Sequence, residues 1–367
     1  MTLRTDNKVV WAFAVLLFIT ASWPAGAKQF GYVPNQGSNN VSIIDVDTDL
    51  VVTNVRAGIS PVRLVVTPDG KKVYVANIGS DRVTVINTTN NSVGRFIKVG
   101  DAPAEMLCSP DGSRLFVPCS QGAVVAVIDT ATDSLLTNLA VGANCRAIAW
   151  VANSAGSFVY VANQGNYSVS VINPVSLTVV TNISVGGGPR RLAVTLDGRK
   201  VYSTNYQSDT VSVIDALTYE RTMDIAVGRG PRGITTSPDG SEVWVTNVLS
   251  NNVSVISTDT DTVLTNLPTG ILPWTVVFHP DGTRAYVLNS GNNNVSVFDI
   301  QTRSLLKTIP VGAGCYWAEF NSDGTKLYIT NPPAGTVSVI DTATDTTIAT
   351  IPTGKSAWVI GLTPVVP

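Results

Sequence analysis

Arginine, tryptophan and tyrosine fall at one recurring register of this chain. From Arg146, steps of 42 to 44 positions lead to Arg190, Arg232, Trp274, Tyr316 and Trp358, and two earlier steps carry Val62 and Ala104. The next residue along adds Arg63, Glu105, Arg191 and Trp317. A guanidinium offers a planar fork of donors that matches a carboxylate or phosphate. Aromatic rings stack on sugar faces and other rings, or hold cations. Three consecutive steps carry Arg, and the next three carry Trp, Tyr and Trp. If these side chains converge, one arc of a shared site is cationic and the opposite arc aromatic. The expected ligand-binding set is Arg63, Arg146, Arg190, Arg191, Arg232, Trp274, Tyr316, Trp317 and Trp358. Its ligand would be an anion with an aromatic or sugar part.

Signals for catalysis and for metals are sparse. His279 is the only histidine. It aligns with Thr67, Ser109, Thr195 and Ser237, so it is expected as a solvated turn residue on the face opposite the arginines. One imidazole gives no multi-histidine metal site, no Ser-His-Asp triad and no C-x-x-C-H haem attachment. The acidic stretches at 45–49 and 257–262 lack the Gly and the distal Glu of a calcium loop, and read as ordinary turns. No cofactor, metal or catalytic residue is expected.

The register that carries the arginines is one line of a longer repeat. The strings "VYVANIGSDRVTVIN" at 73–87 and "VYVANQGNYSVSVIN" at 159–173 are near copies. Anchored on the last residue of "YVAN", the copies fall at Asn35, Asn77, Cys119, Asn163, Asn205, Asn247, Asn289 and Asn331. Each copy reads as four short alternating strands, A to D, separated by turns such as Asp69-Gly70. Gly supplies the positive φ of those turns, and the recurring Asn is expected to cap the turn after strand B. Four-stranded units repeating at this period are propeller blades. In propellers the turn into strand A and the B–C turn share the face around the central channel mouth, where the arginine register would lie.

The strings "VYVAN", "VWVTN" and "LYITN", followed by "VSVID" and "VGxxP", resemble the bacterial and archaeal YVTN-type β-propeller repeats. The resemblance covers 31–364 and implies an exported or surface-exposed propeller. It implies no single activity, since members of the family do different things.

Seven complete units run from 58 to 354. Three strands at 31–57 lack an A strand, and a lone A strand at 358–364 lacks its three partners. Pairing the two leftovers makes an eighth blade and closes the ring, which hides strand edges. The expected fold is an all-β, eight-bladed propeller of four-stranded antiparallel blades, a single domain over 28–367.

Residues 1–27 stand apart. Arg4 and Lys8, an apolar run at 9–21 and Ala25-Gly26-Ala27 form the pattern of a secretory signal cut after Ala27. Export permits disulfides. Cys119 ends strand B of one blade and Cys145 opens strand A of the next, on one face, so a Cys119–Cys145 bridge is expected. Cys108 and Cys315 are expected unpaired. The net charge of −2 argues against nucleic acid as a partner. With the signal removed, no segment is long and apolar enough to insert in a membrane. The chain thus reads as a monomeric exported propeller acting as a binding or interaction module for a small molecule or protein. The alternatives are a propeller enzyme, such as a lactonase- or lyase-like hydrolase, and a purely structural surface protein.

Overall fold

The computed structural model describes residues 28–365, so the expected signal at 1–27 lies outside the described residues. The described chain forms eight four-stranded antiparallel sheets. Blade 1 is built of Pro61–Val66, Lys72–Asn77, Arg82–Asn87 and Ser92–Lys98, and blades 2 to 7 follow in order. In blade 8, Gly361–Leu362 pairs with Phe30–Asn35, which continues to Asn40–Asp45 and Leu50–Arg56. The chain ends therefore close the ring as the leftover strands require. Gly31 pairs with Leu362 and Tyr32 with Gly361, and an isolated bridge joins Asn35 to Ala357.

Strands B and C are buried on both faces because each blade is covered by its neighbours, and strand D alternates between half-buried and exposed. The core is a set of clusters between consecutive blades rather than one central mass. Tyr74, Val83 and Val85 of blade 1, for example, pack on Leu115, Val117 and Ala126 of blade 2.

The recurring Asn is fully buried. In five blades its Nδ2 donates to the Ser of strand C, as from Asn35 to Ser42 at 2.8 Å and from Asn205 to Ser212 at 2.8 Å, and in blade 1 to Thr84 at 2.9 Å, while Asn331 of blade 7 accepts from Ser338 through its carboxamide oxygen at 2.9 Å. It is a rivet between strands as well as a turn cap. The Gly of "VGxxP" sits on its carboxamide. A Cβ on Gly186 would meet Asn205 Nδ2 at 2.5 Å, and one on Gly312 would meet the Asn331 carboxamide at 2.5 Å. Close approach, not backbone conformation, demands glycine there.

Blades are also latched at their rims. The hydroxyl of Tyr202 donates to Asp261 of the next blade at 2.5 Å, and Lys200 meets the same carboxylate at 2.7 Å. Tyr328 and Lys326 repeat this with Asp49, at 2.5 and 2.8 Å. The acidic stretches at 45–49 and 257–262 thus do more than turn the chain: each contributes a latch carboxylate.

Two expectations are corrected. His279 is not solvated. It is buried, its Nε2 lies 3.0 Å from the Gly324 carbonyl of the next blade, and its ring packs edge-on to Phe320. The larger imidazole reaches the neighbouring turn, whereas Ser or Thr at this register bonds within its own turn, as Thr67 does with Asp69 at 2.7 Å and with the Lys72 N–H at 3.0 Å. The Cys119–Cys145 bridge is not formed, and all four cysteines are free thiols. The two do approach, but each thiol is turned to a backbone carbonyl: Cys145 to that of Cys119 at 3.3 Å, Cys119 to that of Val117 at 3.3 Å. Neighbouring Pro118 has no N–H for the ladder, and strand A of that blade shrinks to Leu107–Cys108.

Candidate functional site at the channel mouth

Each strand A is irregular at the register that carries the arginines and aromatics. In blade 1 Pro61 pairs with Asn77 and Arg63 with Ala76, so Val62 is an extra residue. Arg146 and Trp274 are the extra residues of blades 3 and 6. In blades 4 and 5 the irregular stretch holds Arg190-Arg191 and Arg232-Gly233. A bulge breaks the alternation of the pleat and re-aims side chains. Two successive residues are thereby released toward the axis, where a regular strand would turn one of them away.

The Thr before the recurring Asn holds two of these bulges and the start of strand A in blade 7. Thr204, Thr246 and Thr330 accept the backbone N–H of Arg191, Gly233 and Trp317 at 3.1, 2.9 and 3.3 Å. Their hydroxyls also lie 3.2, 3.3 and 3.0 Å from the carbonyls of Arg232, Trp274 and Trp358, each in the following blade. This Thr therefore ties the backbone of one blade's site residue to that of the next.

The side chains converge on a pocket of about 270 Å³ at the mouth. Arg63, Arg146, Arg190, Arg191, Arg232, Tyr316 and Trp358 all line it. Trp274 and Trp317 do not. Trp274 lies under Arg232, whose guanidinium is 3.4 Å from its ring centroid. Trp317 lies deeper, against the guanidiniums of Arg191 at 5.1 Å and Arg63 at 5.7 Å. The cationic and aromatic arcs thus meet across the axis, and two of the aromatics support arginines from behind.

Tyr316 sits where they meet. It accepts a hydrogen bond from Arg63 Nη2 at 3.2 Å and lies between Trp274 and Trp358, with ring centroids at 5.0 and 4.8 Å. Burial pushes its phenol up, but the charges of Arg63, Arg232 and Arg191 outweigh burial and bring it to about 7. Arg232 is itself brought down to about 10, by burial first, with repulsion from Arg190 and Arg191 adding to it.

Glu105 and Gln36 also line the pocket, and Tyr206 and Asn144 hold two of its arginines. Glu105 pairs with Arg191. Gln36 accepts from Trp358 Nε1 at 2.6 Å, Tyr206 lies under Arg190 at 4.2 Å, and Asn144 accepts from Arg146 Nε at 2.9 Å. Gln36 and Tyr206 share the position after the recurring Asn. That position varies around the ring much as the arginine register does, and could have been read from the sequence in the same way. Glu105 is the only carboxylate lining the pocket, against five guanidiniums. Arg63 Nη1 and Arg190 Nε are buried without a hydrogen-bond partner among the described residues.

Residues 115–220 and 199–285 match the family model described as YNCE-like beta-propeller. No curated protein sequence is significantly similar to the chain. Among solved structures, hydrazine synthase of Kuenenia stuttgartiensis is similar at 24% identity and a TM-score of 0.60, over 73% of this chain and 91% of that one. A dihydro-heme d1 dehydrogenase, NirN, in complex with DHE is similar at 17% identity and a TM-score of 0.78, over 90% and 74%. A functionally unknown protein from Desulfotomaculum acetoxidans is similar at 17% identity and a TM-score of 0.63, over 91% and 99%. At these identities the likenesses define the fold, a β-propeller. Among the described residues no helix is long and apolar enough to cross a membrane.

Proposed function

We propose that this protein is an exported binding module that holds a small anion with an aromatic or sugar ring at the mouth of its channel. One observation carries the reading: five guanidiniums face a single pocket in which the only carboxylate, Glu105, is already paired. Four of the five are half-buried, and such an excess of partly desolvated positive charge costs free energy unless an anion offsets it. Arg190 and Arg63 supply unpartnered donors, exposed Arg146 stands at the rim, and Trp358 with Tyr316 supplies an aromatic wall for the ring. The pocket volume suits a single ring.

The neighbour solved with DHE suggests a ring compound, and no histidine lines the mouth to ligate a haem iron. The only histidine, His279, is buried at the A–B turn face, and among the described residues no three His, Cys, Asp or Glu side chains cluster as a metal site. Export rests on the sequence of residues 1–27, and protein recovered outside the cytoplasm should begin at Lys28 on N-terminal sequencing.

A crystal of residues 28–367 soaked in benzoate or glucuronate tests the binding reading. The carboxylate is expected on Arg190 and the ring against Trp358. Density for neither compound in the mouth would overturn it. An enzymatic reading has one feature in its favour: a tyrosine held near neutrality could act as a general base. Turnover of a lactone or uronide that disappears in Tyr316→Phe would support it.

A further inference from the structure

Beyond the layer formed by Arg63, Glu105, Arg191 and Trp317, the channel holds a second cavity of about 490 Å³. It reaches the A–B turn face at Thr67, Pro68 and Ser322. Its wall is mostly aliphatic and aromatic, with Leu64, Met106, Phe320, Ile360 and Leu362 among the lining residues. Two carboxyls line it: Glu105, paired with Arg191 at the upper end, and Glu319 in strand A of blade 7, which interrupts the apolar wall. The residues at the same register of the other seven blades are Val65, Leu107, Ala149, Ala193, Thr235, Val277 and Gly361, none of them ionisable. The blade fold therefore does not require a carboxyl there.

Among the described residues nothing neutralises Glu319: its one hydrogen bond comes from the Leu362 N–H at 3.2 Å, and it forms no ion pair. Arg63 and Glu105 stand at the upper end of the cavity, where Arg63 Nη2 bonds Tyr316 and Glu105 pairs with Arg191, and neither forms a hydrogen bond or ion pair with Glu319. The other polar side chains around it, Gln29, Thr67, Ser322 and Thr363, carry no charge. Glu319 is half-buried because the cavity itself reaches it, while protein surrounds it on every other side.

We propose that this lower cavity binds an organic cation, an ammonium whose charge meets Glu319 and whose apolar body fills the aliphatic and aromatic wall. An unpaired carboxylate in a mostly apolar wall selects a positive group, and Phe320 with the aliphatic side chains suits its hydrocarbon part. The site is separate from the arginine mouth, of opposite charge preference, and opens on the other face. Burial pushes the empty site's carboxyl up to about 7, against the weaker pull of the Leu362 N–H. A cation should therefore bind the ionised form and lose affinity as pH falls through that value.

Calorimetric titration of residues 28–367 with phenethylammonium chloride tests this. One equivalent should bind at pH 8. At pH 6 affinity should be about tenfold weaker, because only about a tenth of the carboxyl is ionised there while the ligand stays protonated. Glu319→Gln should bind about tenfold more weakly at pH 8 and lose the pH dependence. The neutral isostere 2-phenylethanol should not distinguish wild type from variant. Absence of binding at pH 8, affinity independent of pH, or equal affinity in Glu319→Gln would overturn the proposal.

Discussion

Arg63 and Tyr316 are 253 residues apart in the chain, yet Arg63 Nη2 donates to the Tyr316 hydroxyl at 3.2 Å across the channel mouth. Blade 1 supplies the guanidinium and blade 7 the phenol, so the contact exists only when the ring is closed through blade 8. The electrostatics of the mouth thus depend on the strand that returns from the C-terminal end.

Closing the ring should contribute strongly to stability. Ending the chain after Gly354 removes Ala357, Val359, Ile360 and Leu362, all buried, and the pairing of Gly31 and Tyr32. Burial of each larger aliphatic side chain is worth about 1.5–3 kcal/mol. The truncated protein should melt about 10 °C or more below the parent. An unchanged melting temperature would contradict the closure.

Tyr316 should ionise near pH 7, read as tyrosinate absorbance that Tyr316→Phe removes. Its folded value of about 7 lies below the ordinary value of 10. The resulting stabilisation is fully present above pH 10 and is lost as pH falls toward 7. Wild type should therefore gain stability over Tyr316→Phe between pH 7 and 10. Binding of an anion at the mouth should weaken as pH rises through about 7, because the tyrosinate adds a negative charge among the arginines.

Thr330→Val should act on both stability and binding. It leaves the Trp317 N–H and the Trp358 carbonyl without the hydroxyl that joins them, at a cost of about 1–3 kcal/mol. Denaturant midpoints should fall, and ring binding should weaken because Trp358 is less firmly held. Thr330→Ser should restore most of both, and failure to do so would show that the bridge is not what matters.

The period, the turns and the leftover strands made the ring legible in the sequence, because a blade cannot bury its faces alone and an open ring exposes edges. The arginine register was legible because it varies where the repeats otherwise agree. Alignment gives register but not height along the axis, however. Arg232 and Trp274 occupy equivalent positions, yet one lines the pocket and the other lies beneath it. His279 was misplaced for a similar reason: its register is a turn, but its ring is long enough to reach the next blade. The latch aspartates looked like ordinary turn formers because their partners, Tyr202 and Tyr328, lie in the preceding blade.

The central claim is that the guanidiniums of the mouth hold an anion. The most direct measurement is calorimetric titration of benzoate and glucuronate into wild type and Arg190→Ala, each at low and high salt. A charge-assisted hydrogen bond is worth about 1.5–3 kcal/mol, so Arg190→Ala should bind about tenfold or more weakly. Its affinity should also depend less on salt, with an unchanged melting temperature. Equal affinity in the two proteins, or no binding of either ring anion to wild type, would contradict the account.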